Sequence, residues 1–168
     1  MELIALQPEH RTLLENLLEL YIYDLSVLNP KAFVLNENGR YGYKYTDLYF
    51  TEPQRKGFIF SNNNEYCGFA LVNTDCRFPD GEFWMAEFFI LKKLQHLGLG
   101  TEAAHKIFAQ CNGKWEVGVA YTAVNEQEFW RKCVKKYTSN YTEHTTTTEQ
   151  HWNGIIFRFE SIASVATG

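Results

Sequence analysis

The sequence predicts a mixed α/β domain, a sheet with helices packed on it, and three observations carry that expectation. The chain has 168 residues, the size of one hydrophobic core, and a chain of this length buries about 70% of the surface its unfolded form exposes. Hydrophobic residues make up 45% and aromatic residues 16%, enough to build that core and to argue against disorder away from the ends. Along the chain the apolar residues switch repeatedly between strand and helix spacing, so the two kinds of element alternate.

Leu3 to Leu6 reads as a short first strand. Pro8 follows where a helix tolerates proline best, in its first turn. Leu13, Leu14, Leu17, Leu18, Tyr21 and Leu25 then recur at helical spacing, with a stop near Asn29-Pro30. Residues 30–56 are irregular and carry Tyr41, Tyr43, Tyr45 and Tyr49; packed loop aromatics and a substrate loop both fit this composition. Gly57 to Phe60 and Tyr66 to Val72 flank the turn-forming Ser61-Asn62-Asn63-Asn64, the pattern of a hairpin. Asp80-Gly81 marks a turn before the apolar run Glu82 to Leu91. Leu99, Ala103, Ala104, Ile107, Phe108 and Cys111 lie on one helical face that Asn112-Gly113 terminates.

Trp115, Val117, Val119 and Tyr121 alternate along the next strand. Asn125 followed by Glu128 predicts a capping box, opening a helix whose apolar side is Phe129, Cys133, Val134 and Tyr137. Ile155, Phe157 and Phe159 alternate in a last strand, with Thr145 to Thr148 as an adjoining strand or its turn. One domain over residues 1–162 with a loose tail, 163–168, accounts for the pattern.

Composition excludes several functions. The formal charge of −4 lacks the basic face of a nucleic-acid binder and slightly favours a cationic small substrate. Cys67, Cys76, Cys111 and Cys133 form no Cys-x-x-Cys pair and the five histidines show no metal-ligand spacing, so no metal is expected. The first residues have no basic stretch followed by an apolar run, and no segment approaches the ~18 apolar residues of a membrane span. A soluble, cytoplasmic protein with no membrane partner is expected.

The chemistry-bearing stretch is residues 86–101, where the run Ala86 to Leu91 leads through Gln95-His96-Leu97-Gly98-Leu99-Gly100-Thr101 into a helix. Glycines let backbone amides approach a ligand, and a helix N-terminus offers unpaired N–H groups to an anion. The helix charge alone contributes about 0.3–1 kcal/mol, so amide hydrogen bonds must supply the rest. A dinucleotide-binding fingerprint is disfavoured, because its third glycine position is Ala103 and its acidic residue is met only loosely by Glu116; the lysine of a P-loop is absent. A turn whose glycines merely satisfy backbone geometry is the plain alternative.

Gln95-x-x-Gly98-x-Gly100 at a strand-to-helix junction resembles the acetyl-CoA motif of the GCN5-related N-acetyltransferases, and Glu128-Phe129-Trp130-Arg131-Lys132 looks like that family's second motif. Lys114-Trp115-Glu116-Val117 and the Phe-Trp-Arg-Lys run are similar to a bacterial branch of the family. The resemblance spans about residues 1 to 160. It implies a mostly antiparallel sheet of about 6–7 strands flanked by about 4 helices, with a split parallel strand pair holding acetyl-CoA. The backbone of Phe88, Phe89 and Ile90 would bind the pantetheine arm, and amides of Gln95, His96, Leu97, Gly98, Leu99, Gly100 and Thr101 the pyrophosphate. Asn125 and Trp130 are further cofactor candidates, although the family asparagine aligns with Ala123 and Trp130 stands where many members place the tyrosine that protonates the thiolate. Tyr121 and Tyr137 are its neighbours in sequence. Lys135-Lys136 is a solvated helix end or a contact for the adenosine phosphate.

The resemblance implies direct acetyl transfer to a primary amine, most simply of a small molecule. An acyl-CoA sensor lacking catalysis and a protein N-terminal or lysine acetyltransferase are the alternatives. On the order of one in a thousand such amines is neutral at pH 7, so a base is needed, and Glu87 is the candidate; an outward-facing or ion-paired glutamate is the competing reading. Family members often dimerise, so a homodimer is an expectation.

Overall fold

The computed structural model describes residues 1–147 and 152–162; the expected tail and Thr148 fall outside them. Seven strands form one sheet in the order β1-β2-β3-β4-β5-β7-β6. These are β1 (Glu2–Ala5), β2 (Lys56–Asn62), β3 (Glu65–Asn73), β4 (Phe83–Ile90), β5 (Gly113–Ala120), β6 (Tyr141–Thr146) and β7 (Gly154–Ser161). Among the described residues, only β4 and β5 run parallel and every other neighbouring pair is antiparallel. Helices α1 (Arg11–Ser26), α2 (Leu48–Thr51), α3 (Leu99–Gln110) and α4 (Val124–Tyr137) complete the fold. Among the described residues, no helix is long and apolar enough to cross a membrane.

The β2–β3 connection is the expected hairpin. Asn63 and Asn64 both take positive φ, 51° and 63°, the conformation of a two-residue turn that matches strand twist. The sheet divides the core into two layers. Met85, Ile90, Val117 and Phe157 pack with Ala104, Ile107 and Phe108 of α3 and Trp130 and Val134 of α4. On the opposite face Phe69, Leu71 and Phe89 pack with Leu14, Leu17 and Leu18 of α1.

The parallel pair is short. Only Phe83↔Trp115 and Trp84↔Glu116 are registered between β4 and β5, although both strands continue, to Ile90 and Ala120. The break coincides with a bulge: Leu71 and Val72 of β3 face Glu87 and Met85, leaving Ala86 as the extra residue. A bulge bends its strand and increases local twist, so β4 leaves β5 directly after their last registered pair. A gap opens between their C-terminal halves.

The capping box is not formed. Helix α4 starts at Val124 with Ala123 as its cap, and no side chain caps it. The Ala123 amide turns back to the Ala120 carbonyl, and the Gln127 amide reaches the Ala123 carbonyl, which begins the helix ahead of Asn125. The side-chain amide of Gln127 binds the carbonyls of Ala120 and Tyr121 at 2.8 and 3.1 Å. Glu128 pairs instead with Lys132, one turn on, at 3.3 Å.

Strand β3 lies tight against β4 at Gly68, where a Cβ would stand 2.0 Å from the Phe89 carbonyl oxygen. No side-chain rotation relieves a clash with backbone. Gly68→Ala is expected to lower stability by about 1–3 kcal/mol, read as a reduced urea midpoint, whereas an unchanged midpoint would show that the strands can separate at no cost.

Candidate active site

Both helices that follow the diverging strands begin at the open end of the gap. Helix α3 follows β4 through the turn 91–98, and α4 follows β5 through 121–123. Two helix N-termini, each with unpaired amides, therefore stand at one end of the sheet.

In the first of these turns, Gln95 has its N–H on the Lys92 carbonyl and its side-chain amide on the Ile90 carbonyl, at 3.2 and 3.0 Å. Gln95 thus shapes the turn from within. His96 and Gly98 adopt left-handed φ values of 63° and 83°. The first amide to enter a regular helical bond is that of Glu102, on the Gly98 carbonyl at 3.1 Å. Among the described residues, the amides from His96 to Thr101 form a run without strand or loop partners, of the kind that builds anion nests. A groove of about 440 Å³ continues from Gly98 and Thr101 along α3 past His105 to Lys136 of α4.

Register decides which backbone groups of β4 face the gap. The Leu91 amide reaches the Cys67 carbonyl at 2.9 Å, which makes Gly68↔Ile90 a non-hydrogen-bonded pair and Phe69↔Phe89 a hydrogen-bonded one. Phe89 therefore spends its backbone groups on β3, while Phe88 turns both of its groups and Ile90 its amide toward the gap, the Ile90 carbonyl being held by Gln95. The Phe88 ring stacks on Phe129 (centroids 6.0 Å apart) and meets Trp130 edge-on at 5.0 Å. Trp130 is itself buried in the core, and Asn125 is exposed in the first turn of α4. The Tyr137 hydroxyl bonds Ser161 at 2.6 Å, and its ring packs on Phe108 away from the gap. Tyr121 is exposed just past the end of β5.

Glu87 is neither outward-facing nor ion-paired. The bulge places it on the α1 face, where the Tyr21 hydroxyl donates to one carboxylate oxygen at 2.6 Å and the Tyr43 hydroxyl to the other at 2.9 Å. Burial raises the pKa of Glu87, although both phenol hydrogen bonds act to lower it. Burial and the carboxylate charge raise both phenols above their ordinary range, so the tyrosines are protonated donors. Sequence reading placed Tyr21 in the helical stripe and Tyr43 among loop aromatics, and missed their shared partner. Tyr21 is oriented by edge contact with Phe69 at 5.7 Å.

The loop carrying Tyr43 is fastened to α1 by Glu19, which accepts the amides of Tyr41 and Gly42 at 2.8 and 2.9 Å. Between α1 and this loop lies a pocket of about 430 Å³ with Glu87 on its wall. The turn with its unpaired amides and the groove along α3 thus lie on one face of the sheet, and the pocket holding the Glu87 carboxylate on the other, with the C-terminal half of β4 between them.

No protein-family profile and no curated protein matches the chain. Solved structures do match in fold. A GNAT-family acetyltransferase of Staphylococcus aureus Mu50 superposes with a TM-score of 0.61 at 12% identity, covering 96% of this chain and 99% of that one. Spermidine N-acetyltransferase of Vibrio cholerae, solved with CoA and spermine, gives 0.59 at 12%, covering 95% of each chain. An aminoglycoside 6′-N-acetyltransferase complexed with coenzyme A gives 0.60 at 11%, covering 98% of this chain and 99% of that one. The chain has the fold of the GNAT acetyltransferases, as the resemblance implied.

Because Glu87 has a raised pKa in the folded protein, the native state holds its proton more tightly than the unfolded chain does. Between the ordinary carboxylate value of 4.5 and the raised native value, stability falls as pH rises. In Glu87→Gln that loss disappears, so its stability relative to wild type increases upward through this window. Urea midpoints of both proteins at pH 4 and pH 7 would read it, and parallel changes would contradict the buried titration.

Proposed function

We propose that this protein is an acetyl-CoA-dependent N-acetyltransferase that moves acetyl directly to a primary amine of a small molecule. The observation that carries this reading is Glu87, a half-buried carboxylate of raised pKa held by two phenols beside the opening between two parallel strands. Acetyl-CoA would supply a thioester whose carbonyl carbon is open to attack by an amine. The amides from His96 to Thr101 suit its pyrophosphate, the groove ending at Lys136 its adenosine phosphate, and the gap-facing groups of Phe88 and Ile90 its pantetheine arm. Asn125 and Tyr121 stand across the gap from that arm.

Glu87 takes one proton from the incoming ammonium, directly or through one water, which frees the lone pair to attack the thioester carbonyl; as the tetrahedral adduct collapses and the C–S bond breaks, the second N–H proton passes to solvent. The departing thiolate takes its proton from solvent, since Trp130 is buried and its indole is no acid. The neighbours in fold include a spermidine N-acetyltransferase and an aminoglycoside 6′-N-acetyltransferase, both named for amines, which supports an amine acceptor. A second reading, acyl-CoA binding without transfer, draws on the same position of Trp130.

Two measurements test the proposal. Calorimetric titration of acetyl-CoA is expected to show binding that Leu97→Glu weakens tenfold or more. Leu97 is exposed in the anion turn, and a charge beside the pyrophosphate costs on the order of 1–4 kcal/mol. No binding by wild type at millimolar ligand would overturn the proposal.

Glu87→Gln is expected to retain acetyl-CoA affinity and lose about 10²–10⁴ in kcat. The wild-type kcat/KM should rise with pH through the Glu87 pKa. Tyr43→Phe removes a donor that stabilises the carboxylate, so it should move that limb to higher pH. Binding without turnover of any amine would favour the second reading; turnover with an unchanged profile in both variants would remove Glu87 from the mechanism.

A further inference from the structure

Resting on the acetyl-transfer reading, we infer that the acceptor is a monoamine with an apolar body, seated in the pocket between α1 and the loop 32–45. The pocket has one carboxylate, Glu87, at its inner wall, and its other formal charge is the cation Lys44. The Lys44 ammonium lies 4.6 Å over the Tyr45 ring, and both residues line the pocket. Of the acids nearest in sequence, Glu19 is held by the loop amides, Asp24 by Lys92 at 3.3 Å and Asp47 by Arg11 at 2.5 Å, and Glu37, on the exposed part of the loop, does not line the pocket. The charge of Glu126 reaches Tyr21, at the Glu87 end of the pocket.

The remaining surface is mostly apolar. Ile22, Leu25, Phe33, Val34, Tyr41 and Tyr45 supply aliphatic groups and ring faces, and Val34 is 70% exposed. An exposed valine on a pocket wall gains by being covered with hydrocarbon. A polyamine would bring a second ammonium to Lys44 with no carboxylate to meet it. An amino sugar would bring hydroxyls and ammoniums to walls that offer them few partners, which costs free energy for every group left unpaired. A single ammonium followed by an alkyl or aryl body meets Glu87 first and hydrocarbon after. The volume, about 430 Å³, is within the range of small-molecule sites.

The test is a panel of acceptors with the full chain: n-alkylamines from propyl to heptyl, 2-phenylethylamine, spermidine and an aminoglycoside, scored by CoA release. The inference expects kcat/KM to rise about threefold to fourfold per methylene, with 2-phenylethylamine above spermidine by tenfold or more. Val34→Asp, at an exposed position, should flatten the alkyl series while leaving acetyl-CoA affinity intact, and Lys44→Glu should raise kcat/KM for spermidine. A flat series, or preference for spermidine or the aminoglycoside, would overturn the monoamine inference and leave acetyl transfer standing. Should no amine be acetylated, transfer itself fails. Calorimetry of 2-phenylethylamine and spermidine into the CoA-saturated protein then decides the pocket's preference, with tighter spermidine binding, or no binding of either, overturning it.

Discussion

A single additional residue in β4, Ala86, sets both the direction of the strand and the face on which its last residues stand. Met85 packs in the layer beneath α3 and α4, and regular alternation would send Glu87 to that same face. With Ala86 inserted, Phe88 and Ile90 take up the α3 and α4 side. Glu87 and Phe89 face α1, where Tyr21 and Tyr43 reach the carboxylate. The same bulge bends β4 away from β5 after the Trp84↔Glu116 pair. The opening between the strands and the placement of an acid beside it thus have one cause.

Around that opening the two faces of the sheet divide the work. On one side the turn 95–101 and the groove along α3 offer amides and a lysine, groups that suit phosphates. On the other, α1 and the tyrosine-rich loop offer hydrocarbon around one acid. Neither face alone has both an anion site and a base. Only where β4 stands free of β5 can a molecule bound on one side meet a molecule bound on the other. Loss of inter-strand bonds there is offset by the aromatic packing of Phe88, Phe129 and Trp130 behind the gap.

Much of this was legible in the sequence because it is local. The Leu stripe of α1, the Asn63-Asn64 turn, the alternation of β5 and β7 and the Gly98-x-Gly100 turn each follow from spacing and backbone preference within a few residues. The capping box failed for an equally local reason: Gln127 captures the end of β5 and starts α4 ahead of Asn125, a competition that residue type alone does not rank. The environment of Glu87 was not legible at all. It joins residues 21, 43 and 87, and it depends on a bulge that leaves no mark in a run of apolar residues such as Phe83 to Ile90. The gap-facing groups of β4 were read as three consecutive residues, whereas alternation of the β3–β4 ladder allows only Phe88 and Ile90.

The choice of phenols as partners for Glu87 has a chemical consequence. An arginine or lysine at the same distance would hold the carboxylate firmly ionised and leave it a weak base, because an opposite charge lowers a carboxyl pKa by one to three units, ~2 as a central figure. With no partner, burial would push the group toward the neutral acid, which cannot act as a base. Two neutral donors sit between these limits. They fix both oxygens in place and keep part of the effect of burial, and, being themselves shifted upward, they do not surrender their protons to the carboxylate. On the proposed transfer, a proton arriving at Glu87 from an ammonium would meet a carboxylate whose two oxygens are held in place on the pocket wall.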